Sequence, residues 1–235
     1  MLKKKILIHN IPAIIWGDKS DQVYLFVHGK MSSKESAEDF AKIASSRGYQ
    51  VLSFDLPEHG ERDNTNYRCD IWNGIHDLKL VGDYVQSNWT NISLYACSLG
   101  AYFSLHAYPD IPFNQCLFQS PILDMEYLIQ RMFHWFGVTE ERLEREKYIP
   151  TPIDILSWDY YCYVKAHPIE KWFSPTSILY GNMDQLQSRA VMDYFTEQFH
   201  CFLTVADGCD HPFSGEEQAA IATQWIADNL LPIAK

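Results

Sequence analysis

Short apolar runs alternate with stretches of helical periodicity along most of the chain, and this alternation limits the folds that it can adopt. Residues 23–27 are apolar at every position, which is typical of a strand covered on both faces of a parallel sheet. The strands predicted in this way are residues 5–16 (a hairpin), 23–27, 50–56, 92–96, 115–119, 176–180 and 200–205. Helices are predicted between and after them, at residues 32–46, 70–88, 98–107, 187–198 and 214–230. The fold class is therefore α/β, with a doubly wound, mostly parallel sheet and helices on both faces.

Composition favours one domain, residues 1–235, because 47% of the residues are hydrophobic and can build a sizeable core. The chain carries 30 acidic and 19 basic residues, and a net charge of −11 disfavours nucleic acid as a partner. Six scattered cysteines without a C-x-x-C pair are typical of free thiols in a cytoplasmic protein. No run approaches the roughly 18 apolar residues that span a bilayer, and the apolar stretch after the basic N terminus is too short for a signal peptide.

One segment breaks the alternation, because residues 120–175 contain no clear strand and exceed the dozen or so residues that a plain crossover needs. We expect residues 121–175 to form an inserted helical lid with helices at 122–136 and 139–148. A third helix is predicted to start with Thr151 as N-cap, Pro152 at its first position and Asp154 in its first turn. The aromatic residues of the segment are Tyr127, Phe133, Trp135, Phe136, Trp158, Tyr160 and Tyr161. They either pack the lid on the body or roof a substrate pocket, and in the second case Trp135 and Trp158 contact substrate.

Polar residues with catalytic potential follow several of the predicted strands. His28, Ser98, Asp184 and His211 each come directly after a strand. In open α/β sheets ligands bind at the carboxyl ends of the strands. These four side chains are therefore candidates for one common site.

Ser98 lies in Ala96-Cys-Ser-Leu-Gly100, close to the G-x-S-x-G pattern that exposes a serine on a sharp strand-to-helix turn. Ala96 stands where the pattern has Gly, and it adds only a methyl group at a crowded position. Without other residues to support it, Ser98 could equally be an ordinary helix N-cap.

A serine nucleophile needs a base, an acid that orients the base and an oxyanion hole. His211 is the candidate base, because Pro212 keeps it in a loop. Asp184 is the candidate acid and Asp124 is the rival, whereas a capping role is expected for the carboxylates next to His211. The order Ser98, Asp184, His211 is the chain order of α/β-hydrolase triads.

The oxyanion hole is predicted at the N–H groups of Leu99 and Lys30. Gly29 would let the backbone of the loop after residue 27 approach the substrate closely, and His28 and Gly29 are therefore candidate substrate contacts. The Lys30 side chain either points to solvent or offers a positive charge to an acidic substrate.

Five stretches in the same order resemble the α/β-hydrolase superfamily, in particular its serine esterases and lipases. They are residues 26–29, 54–60, 96–100, 179–184 and 210–211. The second stretch resembles a D-x-x-G-H-G segment, in which Glu58 replaces the first Gly. The resemblance covers nearly the whole chain and implies Ser98 as nucleophile, Asp184 as acid and His211 as base. It also implies Lys30 and Leu99 as oxyanion donors.

The preferred hypothesis is hydrolysis of a carboxylic ester or thioester of small to medium size, apolar or aromatic, through an acyl-enzyme. Amide or peptide hydrolysis and a lyase reaction on the same scaffold remain open, and a non-catalytic binding protein is the third alternative. A metal hydrolase is disfavoured, because His28, His59 and His211 are not at ligand spacing. We expect a small-molecule substrate, no cofactor and no metal, and the oligomeric state is open.

The crowded turn gives a first prediction. Ala96→Val should lower soluble yield or esterase rate, because a branched side chain does not fit beside the turn, whereas Ala96→Gly should be accepted. Purified yield and the hydrolysis rate of a chromogenic ester measure both effects. Equal behaviour of the two variants would contradict the steric argument.

Overall fold

The structure is a computed structural model that describes residues 1–63 and 66–232. Within them, one eight-stranded sheet has the order β1-β2-β4-β3-β5-β6-β9-β10. Its strands are β1 Lys3–Ile8, β2 Ile11–Trp16, β3 Gln22–Val27, β4 Gln50–Phe54, β5 Asn91–Cys97, β6 Cys116–Gln119, β9 Thr176–Gly181 and β10 Phe202–Ala206. β1 pairs antiparallel with β2 and β2 antiparallel with β4, and every other neighbouring pair is parallel.

Helices cover both faces of this sheet. They are α1 Glu38–Ser46, α2 Ile71–Asn88, α3 Leu99–Ala107, α4 Met125–Phe136, α5 Glu140–Glu146, α6 Trp158–Ala166, α7 Arg189–Phe199 and α8 Gly215–Asn229. Buried residues of α1 and α8 belong to the core on one face, and those of α2 and α3 belong to the core on the other. The predicted doubly wound, mostly parallel α/β sheet is confirmed.

The central strand β3 shows why these residues form a sheet covered on both sides. Val23, Leu25 and Val27 enter one core, and Tyr24 and Phe26 enter the other. Successive side chains of a strand point to opposite faces. A run that is apolar at every position therefore needs helices on both faces, as the sequence predicts.

The segment between β6 and β9 differs from the prediction. No helix starts at Thr151, because residues 148–157 form a hairpin of β7 Tyr148–Pro150 and β8 Ile155–Ser157. The Thr151 hydroxyl accepts the N–H groups of Ile153 and Asp154 and donates to the Asp154 carbonyl, so it closes the hairpin turn. Threonine serves turns and helix starts through the same local hydrogen bonds, which explains the error. Whether residues 121–175 act as a lid remains a prediction.

The helices predicted to start at residues 32 and 214 begin without a capping hydrogen bond from a serine side chain. The chain after β3 enters a 3₁₀ turn, Lys34–Ala37, before α1, and its N-cap residue Ser33 makes no side-chain hydrogen bond to it. Ser214 precedes α8 without a side-chain cap, and the Asp210 carboxylate instead accepts the Ser214 N–H. At the first start, a tertiary hydrogen bond from the Lys34 N–H to the Asp55 carboxylate replaces the local cap.

The six cysteines are free thiols. Across residues 1–63 and 66–232, no helix is long and apolar enough to cross a bilayer. The same residues contain no group of three or more His, Cys, Asp or Glu side chains that could hold a metal ion. The cytoplasmic location expected from cysteine usage remains a prediction.

A buried ion pair fixes the chain that follows β3. Lys34 is 1% exposed, and its ammonium lies 2.6 Å from Asp55 Oδ2 and 3.1 Å from Glu61 Oε1. Asp55 is fully buried after β4 and also accepts the Lys34 and Glu61 N–H groups, each over 2.9 Å. A lysine inside the protein is thus matched by a carboxylate whose other hydrogen bonds hold two loops.

Lys34→Met should lower the free energy of unfolding by about 3 kcal/mol or more, because it leaves the Asp55 carboxylate buried without its cation. Lys42→Met is the matched control. Lys42 is exposed and pairs with Glu38 and Asp39 on α1, so its loss should change stability by less than about 1 kcal/mol. Urea unfolding of both variants measures the difference. Similar small effects in the two would contradict a structural role for the buried pair.

Candidate active site

Loops after four parallel strands meet at one edge of the sheet. Lys30 follows β3, Ser98 follows β5, Asp184 follows β9 and His211 follows β10. Since these strands are parallel, their carboxyl ends share an edge. The edge brings together residues that are far apart in the sequence.

Ser98 occupies a strained turn between β5 and α3. Its φ of 50° and ψ of −119° lie in a region that L-residues rarely adopt, at a cost of about 1–3 kcal/mol. The surrounding backbone holds this conformation. The Ser98 N–H donates to the Gln119 carbonyl over 3.1 Å, and its own carbonyl accepts the N–H groups of Ala101 and Ile122 over 3.1 and 3.2 Å.

The turn leaves no room for larger residues around it. A Cβ atom on Gly100 would lie 2.4 Å from the His28 carbonyl oxygen and 2.7 Å from the Val27 carbonyl oxygen. A Cβ atom on Gly29 would lie 3.0 Å from Ser98 Cβ. The loop after β3 therefore packs directly against the start of α3.

Ser98, His211 and Asp184 form one chain of hydrogen bonds. Ser98 Oγ lies 2.8 Å from His211 Nε2, and His211 Nδ1–H donates to Asp184 Oδ2 over 2.6 Å. The other carboxylate oxygen, Asp184 Oδ1, accepts the N–H groups of Leu186 and Gln187 over 2.7 and 3.2 Å. The carboxylate side chain is fully buried, and the imidazole is 15% exposed. The histidine is thus oriented from one side and free to exchange a proton with the serine on the other.

Asp184 reaches His211 because the loops after β9 and β10 are joined. A Cβ atom on Gly181 would lie 2.3 Å from the Cys209 carbonyl oxygen, so the two backbones almost touch. The Asn182 side chain donates to Asp207 and accepts the Gly208 N–H, and the Met183 N–H donates to the Cys209 carbonyl.

The other carboxylates near these loops have different partners. Asp124 caps α4 and accepts the Tyr127 N–H over 2.8 Å. Asp210 accepts the Ser214 N–H, which holds its pKa below the ordinary value. Of the two acids that the sequence leaves open, Asp184 is the one that hydrogen-bonds to His211.

The predicted oxyanion donors Leu99 and Lys30 belong to α3 and to the loop after β3. The Leu99 N–H is the first of α3, and the first N–H groups of a helix have no partner within it. Lys30 lines the same cavity as Ser98, and its ammonium forms an ion pair with Asp154 in the β7–β8 turn. Its side chain is therefore engaged by the hairpin, an arrangement that differs from both alternatives considered from the sequence.

Ser98 opens into a cavity of about 110 Å³ beneath α4, α6 and the β7–β8 hairpin. Its lining residues are Lys30, Cys69, Ser98, Leu99, Ile122, Met125, Leu128, Ile129, Met132, Ile153, Asp154, Ile155, Leu156, Ser157, Tyr160 and Leu186. A larger groove of about 640 Å³ lies between α4, the end of α6 and α7, but neither Ser98 nor His211 lines it. We place the candidate site at the smaller cavity, because Ser98 and the candidate oxyanion residues Lys30 and Leu99 line it.

Most of the aromatic residues predicted to cover a substrate pocket do not line the Ser98 cavity. Neither Trp135 nor Trp158 is among the residues that line the cavity. Trp135 stacks under the Arg131 guanidinium, and Trp158 packs against Tyr161 within α6. Tyr160 is the aromatic side chain of the segment that reaches the cavity.

The aliphatic side chains of α4 that line the cavity were not predicted, although their spacing in the sequence indicates them. Met125, Leu128, Ile129 and Met132 line the cavity and are spaced at i, i+3, i+4 and i+7. That spacing places them on one face of α4. The ion pair between Lys30 and Asp154 has no comparable signal, because 124 residues separate its members.

His28 has a structural position beside the turn. It is 1% exposed, its Nδ1–H donates to the Gly29 carbonyl over 2.7 Å, and its Nε2 accepts the Leu56 N–H over 3.1 Å. Burial lowers its pKa to about 4, so the imidazole is neutral at pH 7. Neither His28 nor Gly29 lines the cavity, and both act on the site by shaping the loop after β3.

Solved structures resemble this arrangement over nearly its whole length. The esterase Est1E from Butyrivibrio proteoclasticus, determined with ferulic acid bound, superposes with a TM-score of 0.77 at 18% identity, covering 96% of each chain. Mouse alpha/beta hydrolase domain-containing protein 10 gives a TM-score of 0.75 at 15% identity, covering 97% of this chain and 98% of that one. The chain has the α/β-hydrolase fold.

The fold is recognised from structure alone. A monoacylglycerol lipase from Paleococcus ferrophilus is a further α/β-hydrolase neighbour, with a TM-score of 0.64 at 17% identity over 93% of this chain and 98% of that one. No protein-family model matches the sequence, and no curated protein matches it either. The fold implied by the five short stretches is therefore confirmed by the backbone.

The buried neutral His28 predicts an acid-sensitive fold. Its pKa falls from about 6.5 in the unfolded chain to about 4 in the folded protein. Between these values the unfolded chain binds more protons, so stability should fall as pH drops from about 6.5 to about 4.

Urea unfolding at several pH values measures this slope. His28→Gln should make it shallower without removing it, because burial also lowers the pKa of His106 to about 4. His134→Gln, at an exposed position on α4, should leave the slope unchanged. An unaltered slope in the His28 variant would show that other groups cause the acid sensitivity.

Proposed function

We propose that the protein is a serine hydrolase that cleaves carboxylic esters through an acyl-enzyme. The observation that carries the proposal is the hydrogen-bond chain from Ser98 Oγ through His211 to the buried Asp184 carboxylate. It combines with the strained turn that exposes the serine to an apolar cavity. A serine that served only as an N-cap would need neither the imidazole nor the cavity.

In the proposed first step, Ser98 Oγ attacks the ester carbonyl carbon while its proton moves to His211 Nε2. The buried Asp184 carboxylate stabilises the imidazolium that forms and keeps Nδ1 as the protonated nitrogen. Collapse of the tetrahedral intermediate breaks the bond to the alcohol oxygen, which receives the proton from Nε2. Water then attacks the acyl-enzyme with His211 as base, and the acid is released.

The negative charge on the former carbonyl oxygen needs donors beside Ser98. We assign this role to the N–H groups of Leu99 and Lys30, in line with the usual position of the second donor in the loop after the third strand. The first N–H of α3 also lies at the positive end of the helix dipole, which favours an oxyanion. The close contact between Ser98 and the loop that carries Gly29 supports this assignment.

Of the apolar or aromatic substrates expected from the sequence, the cavity favours those with an aliphatic acyl group of small to medium size. Its walls are mostly leucine, isoleucine and methionine side chains. Residues 121–175 provide most of that wall, which supports the proposal that they act as a lid, with the Lys30–Asp154 ion pair joining lid and body. Among the fold's neighbours, an esterase and a monoacylglycerol lipase bear names that agree with ester hydrolysis.

A fluorophosphonate probe tests the nucleophile directly. The native protein should be labelled at Ser98 and should hydrolyse p-nitrophenyl esters of short and medium acyl chains. Ser98→Ala should abolish labelling and turnover. Mass spectrometry of the labelled peptide locates the adduct.

Asp184→Asn tests the acid, and Asp124→Asn is its matched control. The first should lower kcat by about 10³- to 10⁴-fold, because an amide favours the wrong tautomer of the imidazole, and the second should have little effect. Parallel assays with matched thioesters and amides define the reaction class. A native protein that neither reacts with the probe nor hydrolyses any ester would leave the binding-protein alternative.

A further inference from the structure

One hydroxyl in the wall of the Ser98 cavity lacks a partner. Tyr160 Oη is fully buried and has no hydrogen-bond partner among residues 1–63 and 66–232. The neighbouring residue behaves differently, because the Tyr161 hydroxyl donates to Glu140 Oε2 over 2.9 Å. Burying a hydroxyl without a partner is unfavourable, so its position needs an explanation.

Tyr160 is held firmly in the cavity wall. It belongs to the first turn of α6, where its N–H donates to the Ser157 hydroxyl over 3.4 Å. Its ring packs against Trp72 of α2, with centroids 6.1 Å apart. The hydroxyl is therefore fixed in place and cannot easily turn to another protein group.

The other charged or hydroxyl groups that line this cavity are already engaged. The Lys30 ammonium pairs with Asp154, and Asp154 Oδ1 also accepts the Ile155 N–H. Ser157 caps α6, and Ser98 bonds to His211. Among the charged and hydroxyl-bearing residues of this lining, Tyr160 is thus the one whose hydroxyl has no partner within the described residues.

Burial also fixes the chemical state of this hydroxyl. It raises the pKa of Tyr160 well above the ordinary value, so the group is neutral and can donate its O–H. A neutral donor in an apolar wall suits an uncharged oxygen acceptor. The apolar surroundings disfavour a charged group such as an ammonium in the same place.

Three other buried polar atoms lack partners within the described ranges. They are His106 Nε2, Ser120 Oγ and Arg131 Nε. None of these residues lines the cavity that Ser98 opens into. Tyr160 is distinguished by the coincidence of an unpaired hydroxyl with the proposed reaction site.

We propose that Tyr160 donates a hydrogen bond to an oxygen on the acyl chain of the substrate, so that the preferred substrates are esters of aliphatic acids carrying an oxo or hydroxyl oxygen. This proposal rests on the proposed ester hydrolysis at Ser98. The aliphatic walls would bind the carbon chain, and Tyr160 would select chains with an acceptor at the matching position.

The test compares p-nitrophenyl hexanoate with its 4-oxo and 5-oxo analogues. These esters differ only in an acceptor oxygen, and ketones avoid the spontaneous lactonisation of hydroxy analogues. For the native protein, kcat/KM should be higher for at least one oxo ester than for hexanoate. In Tyr160→Phe, the ratio of the oxo ester to hexanoate should fall about fivefold to tenfold.

Tyr161→Phe is the matched control, because it removes a hydroxyl from the next residue of the same helix, outside the cavity. It should keep the native ratio. Comparing this ratio between variants cancels the effect of the oxo group on intrinsic ester reactivity, because that effect is the same in every variant. A native ratio in Tyr160→Phe would overturn the proposal while ester hydrolysis stands.

Thermal unfolding provides a readout that does not depend on activity. Tyr160→Phe should unfold at the native temperature or higher, since it removes an unpaired buried hydroxyl, whereas Tyr161→Phe should unfold at a lower temperature. A lower unfolding temperature for Tyr160→Phe would mean that the hydroxyl has a partner in the free protein, and would contradict the proposal. If no ester is hydrolysed and Ser98 is not labelled, the proposed function fails first and this inference with it.

Discussion

The contact between the start of α3 and the end of β3 is the constraint on which the candidate site depends. The backbone carbonyls of Val27 and His28 lie where any side chain larger than hydrogen at Gly100 would have to be. This contact holds the start of α3 at the end of β3, and Ser98 between them therefore keeps its unfavourable backbone angles. It also brings the loop that carries Gly29 and Lys30 to the side of the serine. This one contact thus accounts for the strained backbone of Ser98, for the exposure of its hydroxyl and for the position of the expected oxyanion donors.

The imidazole and the carboxylate depend on a second close approach, between the loops after β9 and β10. There Gly181 lies against the Cys209 carbonyl, and Asn182 links the loops through its side chain. Because Asp184 also accepts two backbone N–H groups, its second oxygen is aimed at His211 without side-chain freedom. The hydrogen-bond chain from Ser98 to Asp184 is therefore held mainly by backbone geometry at the strand ends.

Much of this could be predicted from the sequence, because it depends on local patterns. Apolar runs locate the strands, and the polar residues that follow them locate the candidate site. Ser98, Asp184 and His211 are therefore candidates from the sequence alone. Errors occurred where a local pattern serves two structures, as at Thr151, whose hydroxyl closes a hairpin turn. They also occurred where a tertiary hydrogen bond replaces a local one, as at Lys34, whose N–H donates to Asp55 in the 3₁₀ turn that precedes α1. The cavity wall depends on which face of α4 turns inward and on the distant pairing of Lys30 with Asp154, and only the first leaves a trace in the sequence.

The division of the cavity wall between two parts of the chain has a consequence for how such a protein can change. The strand ends supply the groups that would move protons, and the segment between β6 and β9 supplies most of the surface that would contact an acyl chain. Substitutions in that segment can therefore alter which molecules fit while the hydrogen-bond chain at Ser98 is left intact. Conversely, the sheet edge tolerates little variation, since its glycines are fixed by backbone contacts. The residues that would determine substrate selectivity can thus change at a different rate from those that would carry out the reaction.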